Sequence, residues 1–593
     1  MAAACAVQAL EAPTPRHPRS APMSIAHQRR RLANASDRAT TAISPLGRIL
    51  ARLEGAPPLA RVALTAGALA LQAGDFMRAE AQARMALGQA APLAHRLIGL
   101  AREKAGESPR AFEAYREAHS LAPTDPDTAR DLARMANRLG HPSLAIELLI
   151  RVRQVVPDDL ADALELGALL RDQDRYDEAL AVVREALRRA PEAAAVWSLL
   201  GSIASHQGDD QEARAFHDQA MLLDPISPAI LANAAIARLD VGDALGAIEA
   251  CDTALAHAPT PAQAAVIRMT RAQARLLAGD LPGGWDDYAA RLAPERPESL
   301  AFDLPWPRLE PDEPLEGLNL LLIGEQGLGD EVMFGGLIGD LIAALGPGGR
   351  LTLAVEPRLV SLFARSWPGV RVFGHVSAVL AGRLTRTIPD LFDPEIQAWA
   401  PMADLPPRLR PALDAFTAGP FLRPAPARAA HWRVWLEGLP AGDKVGVLWK
   451  SLKMTGPRTR RFAPFEAWRP VLATPGKTFV SLQYGEAHEE LAFAAERWGV
   501  ALVEPPGLDL THDLEGVAAL CAALDGVIGP PTATTNLSAA VGAPTWMIYA
   551  HPAWPTLGTG RHPWYPSARA FTPDGEADWS RRMARVGQAL SKA

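Results

Sequence analysis

Three carboxylates stand close together in the stretch Gly324–Glu331 (GEQGLGDE): Glu325, Asp330 and Glu331, interleaved with Gly324, Gly327 and Gly329. A carboxylate held out by a glycine turn can act as a general base. A Ser or Thr hydroxyl is a poor nucleophile until such a base takes its proton. The plainer reading is that acidic residues at a helix start complement the helix dipole. The stretch is not a Walker loop, since no Lys-Ser/Thr follows, and not the dinucleotide fingerprint, since its glycines fall as G-x-x-G-x-G. Its carboxylates would also repel a phosphate.

A second set is basic. Lys450 directly follows the apolar run KVGVLW, and Lys453, Arg458, Arg460 and Arg461 lie within the next eleven residues. Such cations can compensate a departing nucleotide phosphate; a solvated loop is the alternative. The third set is Gly529–Asn536 (GPPTATTN), where Thr532, Thr534, Thr535 and Asn536 open a helix. Hydroxyls and free N–H groups there form an anion site, or simply cap the helix. Gln483 and Tyr484 end a neighbouring strand and are candidate pocket liners. His375, His431, His488, His512, His551 and His562 show no metal-ligand spacing, and no G-x-S-x-G elbow occurs.

The elements that must position these groups follow from hydrophobic pattern. Leu320–Ile323 reads as a buried strand, and the glycine turn leads into a helix continued by Leu337–Leu345. Leu351–Val355 and Val370–Val372 read as strands around a helix at Leu359–Ser366, a βαβαβ half of a doubly wound sheet. Residues 376–430 read as an irregular, Pro-rich connection. A second α/β unit has strands at Lys444–Trp449, Phe479–Gln483, Gly526–Ile528 and Pro544–Tyr549, with helices at Phe465–Leu472, Leu491–Trp498, within Pro530–Gly542 and at Asp578–Leu590. This places one α/β domain at 318–435 and another at 436–593, with a crevice at their carboxyl edges where ligands bind.

Upstream the chain repeats every 34 residues. Pro123, Pro157, Pro191, Pro225 and Pro259 form one column, and Ala111, Ala145, Ala179, Ala213 and Ala247 a second. Gly99, Ala133, Gly167, Gly201 and Ala235 form a third; Gly106, Gly140, Asp174, Gly208 and Gly242 a fourth. Paired helices need small residues where they cross, a left-handed residue at the turn, and Pro to end the second helix. The period and columns resemble the tetratricopeptide repeat. An outlying repeat shows in Gly74 and Ala79, and a degenerate one in Gly279–Arg291 (GDLPGGWDDYAAR). The array covers 59–292; stacked repeats present an inner face that binds peptide, or serve as a scaffold. Residues 293–317 are a Pro-rich linker or ordered strap containing Trp306. Residues 1–58 read as disordered or weakly ordered, with a basic cluster at Gln28–Arg31, and Met23 is an alternative start.

A net charge of −7 argues against general affinity for nucleic acid or anionic lipid. No apolar run approaches the ~20 residues of a membrane helix. Three scattered cysteines, Cys5, Cys251 and Cys521, support no disulfide framework. A cytoplasmic protein is expected.

Two α/β units joined by a Pro-rich connection resemble a GT-B glycosyltransferase. From about residue 60 to 590 the chain resembles bacterial tetratricopeptide-repeat glycosyltransferases, related to heptosyltransferases and more distantly to O-GlcNAc transferases, and within that group the flagellin glycosyltransferases. The resemblance implies an all-α superhelix followed by two Rossmann-like domains facing a cleft. It implies a metal-independent enzyme without a cofactor, whose substrate is a nucleotide sugar. Flagellin or another acceptor protein would lie on the repeats, with no nucleic acid or membrane partner. Gly329-Asp330 matches the Gly-Asp pair whose Asp is the base in heptosyltransferases; Glu325 is the second candidate, and Gly327, Gly329 and Glu331 shape the acceptor side. Lys450 and Arg461 fall where related transferases contact donor phosphate. Where heptosyltransferases carry Asp-Thr and, one turn on, His, this chain has Pro531-Thr532 and Asn536. That departure leaves the donor open: a CMP-activated nonulosonic acid such as pseudaminic acid, or a UDP- or ADP-sugar. The rival readings are a non-catalytic interaction protein with a degenerate transferase domain, and an enzyme of lipopolysaccharide or other glycan synthesis.

Overall fold

The computed structural model describes residues 44–593, apart from 258, 297–298, 381–382, 417–418, 453, 455, 575–577 and 593. Cys5, Met23 and the Gln28–Arg31 cluster lie outside the described residues. The chain forms two compact units, one through Ala234 and one from Ala235 onward.

The first unit is helical. A short helix α1 (Pro45–Ala51) precedes the hairpins α2 (Pro58–Gln72) with α3 (Phe76–Met85), and α4 (Leu87–Lys104) with α5 (Ser108–Leu121). Next come α6 (Pro126–Arg138) with α7 (Pro142–Val155), α8 (Leu160–Asp172) with α9 (Tyr176–Arg189), and α10 (Ala194–Gln207) with α11 (Asp210–Leu223). The unit boundary falls within α12 (Pro228–Asp240). Each sequence column has its expected physical job. Gly74, Gly106, Gly140, Gly208 and Gly242 turn between paired helices at φ +79 to +83°, and Asp174 does so at +59°. The alanine column is buried throughout. A Cβ on Gly99 would stand 2.7 Å from the Tyr115 ring, and one on Gly201 2.7 Å from His217, so these crossings admit hydrogen only. Residues 44–58 depart from the weak order expected of them. Ile49 is fully buried, and Arg48 and Arg52 are ion-paired.

The second unit opens with three more helices of the series: α13 (Ala244–Ala256), α14 (Pro261–Ala278) and α15 (Leu281–Tyr288). The last two share one hydrophobic core with the α/β region that follows. The boundary expected near residue 292 is therefore not where the compact units divide. The reason is the degenerate repeat: Trp285 packs edge-on against Tyr288, Trp554 and Trp564. It also donates from Nε1 to the Arg410 carbonyl at 3.1 Å. The described residues of the segment 299–317 form an ordered strap. Within it β1 (Ala301–Phe302) pairs in parallel with β6 (Arg383–Thr387), and Trp306 Nε1 donates to the Asp393 carbonyl at 3.0 Å.

Four parallel strands form the first large sheet: β2 (Asn319–Ile323), β3 (Arg350–Val355), β4 (Arg371–Gly374) and β7 (Ala398–Pro401), in spatial order β4-β3-β2-β7. The second has six parallel strands, β8 (Asp443–Val447), β9 (Lys477–Ser481), β10 (Leu502–Val503), β11 (Gly526–Gly529), β12 (Thr545–Ile548) and β13 (Ala568–Phe571), in order β10-β9-β8-β11-β12-β13. Renumbered within each sheet these are 3-2-1-4 and 3-2-1-4-5-6, doubly wound orders that reverse beside the first strand. The region 376–430 holds more structure than its sequence announced. Besides β7 it contains the hairpin β5 (Val376–Leu380) and β6, whose β5 residues are all exposed.

Candidate active site

The glycine turn leaves β2 at the reversal point of the first sheet. Gly324 has no room for a side chain because the Glu331 carboxylate fills that space. Gln326 adopts the left-handed conformation at φ +62°, which is uncommon for a residue with a Cβ. Gly327 then caps α16 (Leu328–Gly335), and its N–H donates to Asp330 Oδ2 at 3.1 Å.

The three carboxylates have separate fates. Glu325 is buried and accepts from Arg291 Nε and Nη2 at 2.9 and 2.8 Å, and from the Ala403 N–H at 2.9 Å. Arg291 also reaches Asp404 at 2.6 Å. Glu331, equally buried, accepts from His375 Nε2 at 2.9 Å, Arg386 Nη1 at 3.2 Å and the Glu356 N–H at 2.8 Å. Both hold the turn to its surroundings. With Arg291 and the Ala403 N–H already on its oxygens, Glu325 is engaged in holding the turn, so this geometry does not favour the base role considered for it. Asp330 differs: among the described residues no cation pairs with it. Burial pushes its carboxyl up to about 6, and the negative charges of Glu325 and Glu331 add to the rise.

Asp330 lines a cavity of about 320 Å³ together with Tyr288, Arg291, Gln326, Arg386 and Trp554. The cavity is built by the last helices of the repeat series, the strap, the turn and β6. Tyr288 and the Gln326 side-chain amide meet at 2.7–3.1 Å. Tyr288, Arg386 and Trp554 are absent from the sequence-based candidates. For Tyr288 and Trp554 the only signal was the aromatic excess of WDDY and of the HPAWP segment, which periodicity could not assign to a site; Arg386, in the polar run RLTRT, carried none.

The turn touches the second sheet at Gly329. A Cβ there would lie 3.2 Å from Asn536 Nδ2 and 3.5 Å from the Ala533 nitrogen, at the start of α24 (Ala533–Ala540). Where the two α/β parts meet, the starts of α16 and α24 are in contact. Of the residues expected to bind a donor, Thr534, Thr535 and Asn536 are buried. The Thr535 hydroxyl bridges the Thr532 N–H, at 2.9 Å, and the Pro530 carbonyl, also at 2.9 Å. Asn536 donates to the Thr532 carbonyl at 2.8 Å and accepts from Tyr565 Oη at 2.7 Å. Gln483 accepts from the Trp449 and Lys450 N–H groups, both at 2.9 Å, and clasps two strand ends instead of lining a pocket. Lys450 pairs with Glu490. Three residues remain together at this edge. They are Thr532, whose Oγ1 is buried, Tyr484 beside it, and Arg458, which bonds Ser451 Oγ at 3.2 Å. Arg461 is exposed on the same loop, and Lys453 lies outside the described residues. Among the described residues no cluster of His, Cys, Asp or Glu could hold a metal ion, and no helix is long and apolar enough to cross a membrane.

Residues 64–126 and 164–225 match the tetratricopeptide repeat. Over 529 residues the chain is 41% identical to Protein FlbA of Caulobacter vibrioides, covering 88% of each chain. Among solved structures it is similar to a tetratricopeptide repeat protein of Parabacteroides merdae, with 16% identity, 40% of this chain and 94% of that one covered, and a TM-score of 0.36. It is also similar to TTC0263, a thermophilic TPR protein of Thermus thermophilus, with 25% identity, 28% and 89% covered, and a TM-score of 0.25. At these TM-scores neither structural likeness carries an argument.

Proposed function

This chain belongs to the same family as Protein FlbA, and from that premise we propose that it is a protein O-glycosyltransferase of the GT-B type. It moves a sugar from a nucleotide donor to a Ser or Thr hydroxyl of an acceptor protein bound by the repeats. The observation that carries this reading is Asp330: a carboxylate with no cationic partner among the described residues, raised to about 6, facing a cavity where the first sheet reverses. A base near neutrality is what proton removal from a hydroxyl asks for. In the proposed step the acceptor O–H bond breaks and its proton passes to Asp330. The oxygen bonds the anomeric carbon, and the carbon–oxygen bond to phosphate breaks with its electrons leaving on phosphate. Arg458, Thr532 and the N–H groups opening α24 are the groups suited to receive that charge.

The acceptor we favour is flagellin, with the reaction in the cytoplasm. The donor we favour is a CMP-activated nonulosonic acid, ahead of a UDP- or ADP-sugar. A second reading, a non-catalytic binding protein, draws support from Asn536 and Lys450, both committed to internal partners. Intact-mass spectra of flagellin from a deletion strain separate the readings. Loss of glycan mass, restored by the wild-type gene, is the expected result; an unchanged mass removes flagellin as acceptor. Thermal melts with CMP, UDP, ADP and GDP should show one nucleotide raising Tm, by mass action on the folded state.

A further inference from the structure

The face formed by the first helices of successive pairs is where repeat arrays of this kind bind peptide. Part of it is already covered. Helix α1 stands outside the 34-residue register and packs against α2 and α4. Two arginines four residues apart, Arg48 within it and Arg52 at its end, reach the start of α6. Arg48 reaches Asp131 at 3.3 Å and Asp127 at 3.5 Å. Arg52 reaches Asp125 at 2.6 Å and Asp127 at 2.9 Å. Ile49 between them is fully buried and Leu53 nearly so.

The surface beneath is built for cations. Asp131 is fully buried and is also held by Arg96 of α4 at 2.7 Å. The acidic row runs on through Asp159 and Asp162, which share Arg130 at 3.1 and 2.6 Å. Beyond them Glu165 has no ion pair among the described residues. The seven residues of α1 are too few to hold a helix alone in water, so the surface supplies its shape. Its arginines keep 20 and 42% side-chain exposure, and ion pairs open to solvent are weak and exchangeable. A short amphipathic helix with its apolar residue buried and its charges matched is the helix-in-groove mode of peptide recognition.

We propose that α1 is an internal occupant of this face. The external ligand is a helical segment of another protein with two arginines one turn apart around a branched aliphatic residue, and α1 must leave for it to bind. Such a peptide-bound acceptor or partner rests on the reading of the repeats as a binding surface, but only residues 44–172 take part, so failure here would leave the transfer chemistry at Asp330 untouched.

The test uses the full chain, wild type and Arg48→Ala/Arg52→Ala. The probes are a labelled peptide of residues 44–56 (SPLGRILARLEGA) and the same peptide with both arginines replaced by Glu. The double variant should bind the arginine peptide at least tenfold more tightly than wild type and should not bind the Glu peptide. Equal affinity of the two proteins, or of the two peptides, would overturn the proposal. Amide exchange on the wild-type chain decides the matter even if the variant fails to fold. The α1 amides should exchange faster than those of α4 and α6, and lose protection when the peptide is in excess. Exchange of α1 in step with α4, unchanged by peptide, would also overturn it.

Discussion

At Asp330 the chemistry and the stability pull in opposite directions. Its carboxyl rises from 3.8 to about 6 on folding. Between those values the folded chain holds a proton that the unfolded chain has released, so stability falls as pH rises through that window and stays lower above it. Asp330→Asn, neutral at every pH, should therefore be more stable than wild type at pH 7–8. The gain should be about 1–2 kcal/mol, because each tenfold change in proton affinity is worth ~1.4 kcal/mol and solvent reaching the half-buried carboxylate reduces the total. The difference should vanish below pH 4. Denaturant titrations at pH 4 and pH 8 check this, and equal stabilities at pH 8 would mean the raised carboxyl is wrong. Glu325→Gln should behave differently. It leaves Arg291 buried with only Asp404, at a cost of about 3 kcal/mol, while transfer per folded molecule persists. Sequence exposed all three carboxylates but not how they divide the work. Arg291, His375 and Arg386, which hydrogen-bond Glu325 and Glu331, lie 34 to 55 residues from their partners, and no spacing rule reaches that far.

At the scale of elements, the two helix starts meet at Gly329. Gly329→Ala places its Cβ 3.2 Å from Asn536 Nδ2, so Asn536 must yield by a few tenths of an ångström, whereas Gly329→Val must push α16 from α24. The valine variant should lose about 1–3 kcal/mol of stability and weaken nucleotide binding more than the alanine variant; equal nucleotide affinity in both would detach this contact from the site. The glycine column of the repeats was legible because each position needs φ near +80°, a demand local to its own turn. Strands β2, β3, β8, β11 and β12 were legible as apolar runs in buried parallel sheets. The hairpin β5–β6 was not, since VSAVL is exposed and the buried residues of RLTRT, Thr385 and Arg386, are polar, leaving no apolar buried face to read. Strand β10 has only two residues.

For the whole molecule, period alone placed the repeats but not the point where they change partners. Helices α13 to α15 continue the repeat in sequence, yet Trp285 and Tyr288 of α15 sit in the core of the α/β region. A repeat column records the contact between neighbouring helices; it is silent about what covers the other face. The same blindness hid the cavity around Asp330, whose walls come from the last repeat helices, the strap and β6. Removal of the acceptor proton by Asp330 is the step on which the proposed function stands. It is read most directly from the rate of sugar transfer to purified acceptor protein, followed by intact mass from pH 5 to 9. The wild-type rate should fall as pH drops below about 6, and an Asp330→Asn enzyme that is folded and binds nucleotide should transfer at least 100-fold more slowly at every pH. Transfer by Asp330→Asn at the wild-type rate would show that Asp330 is not the base.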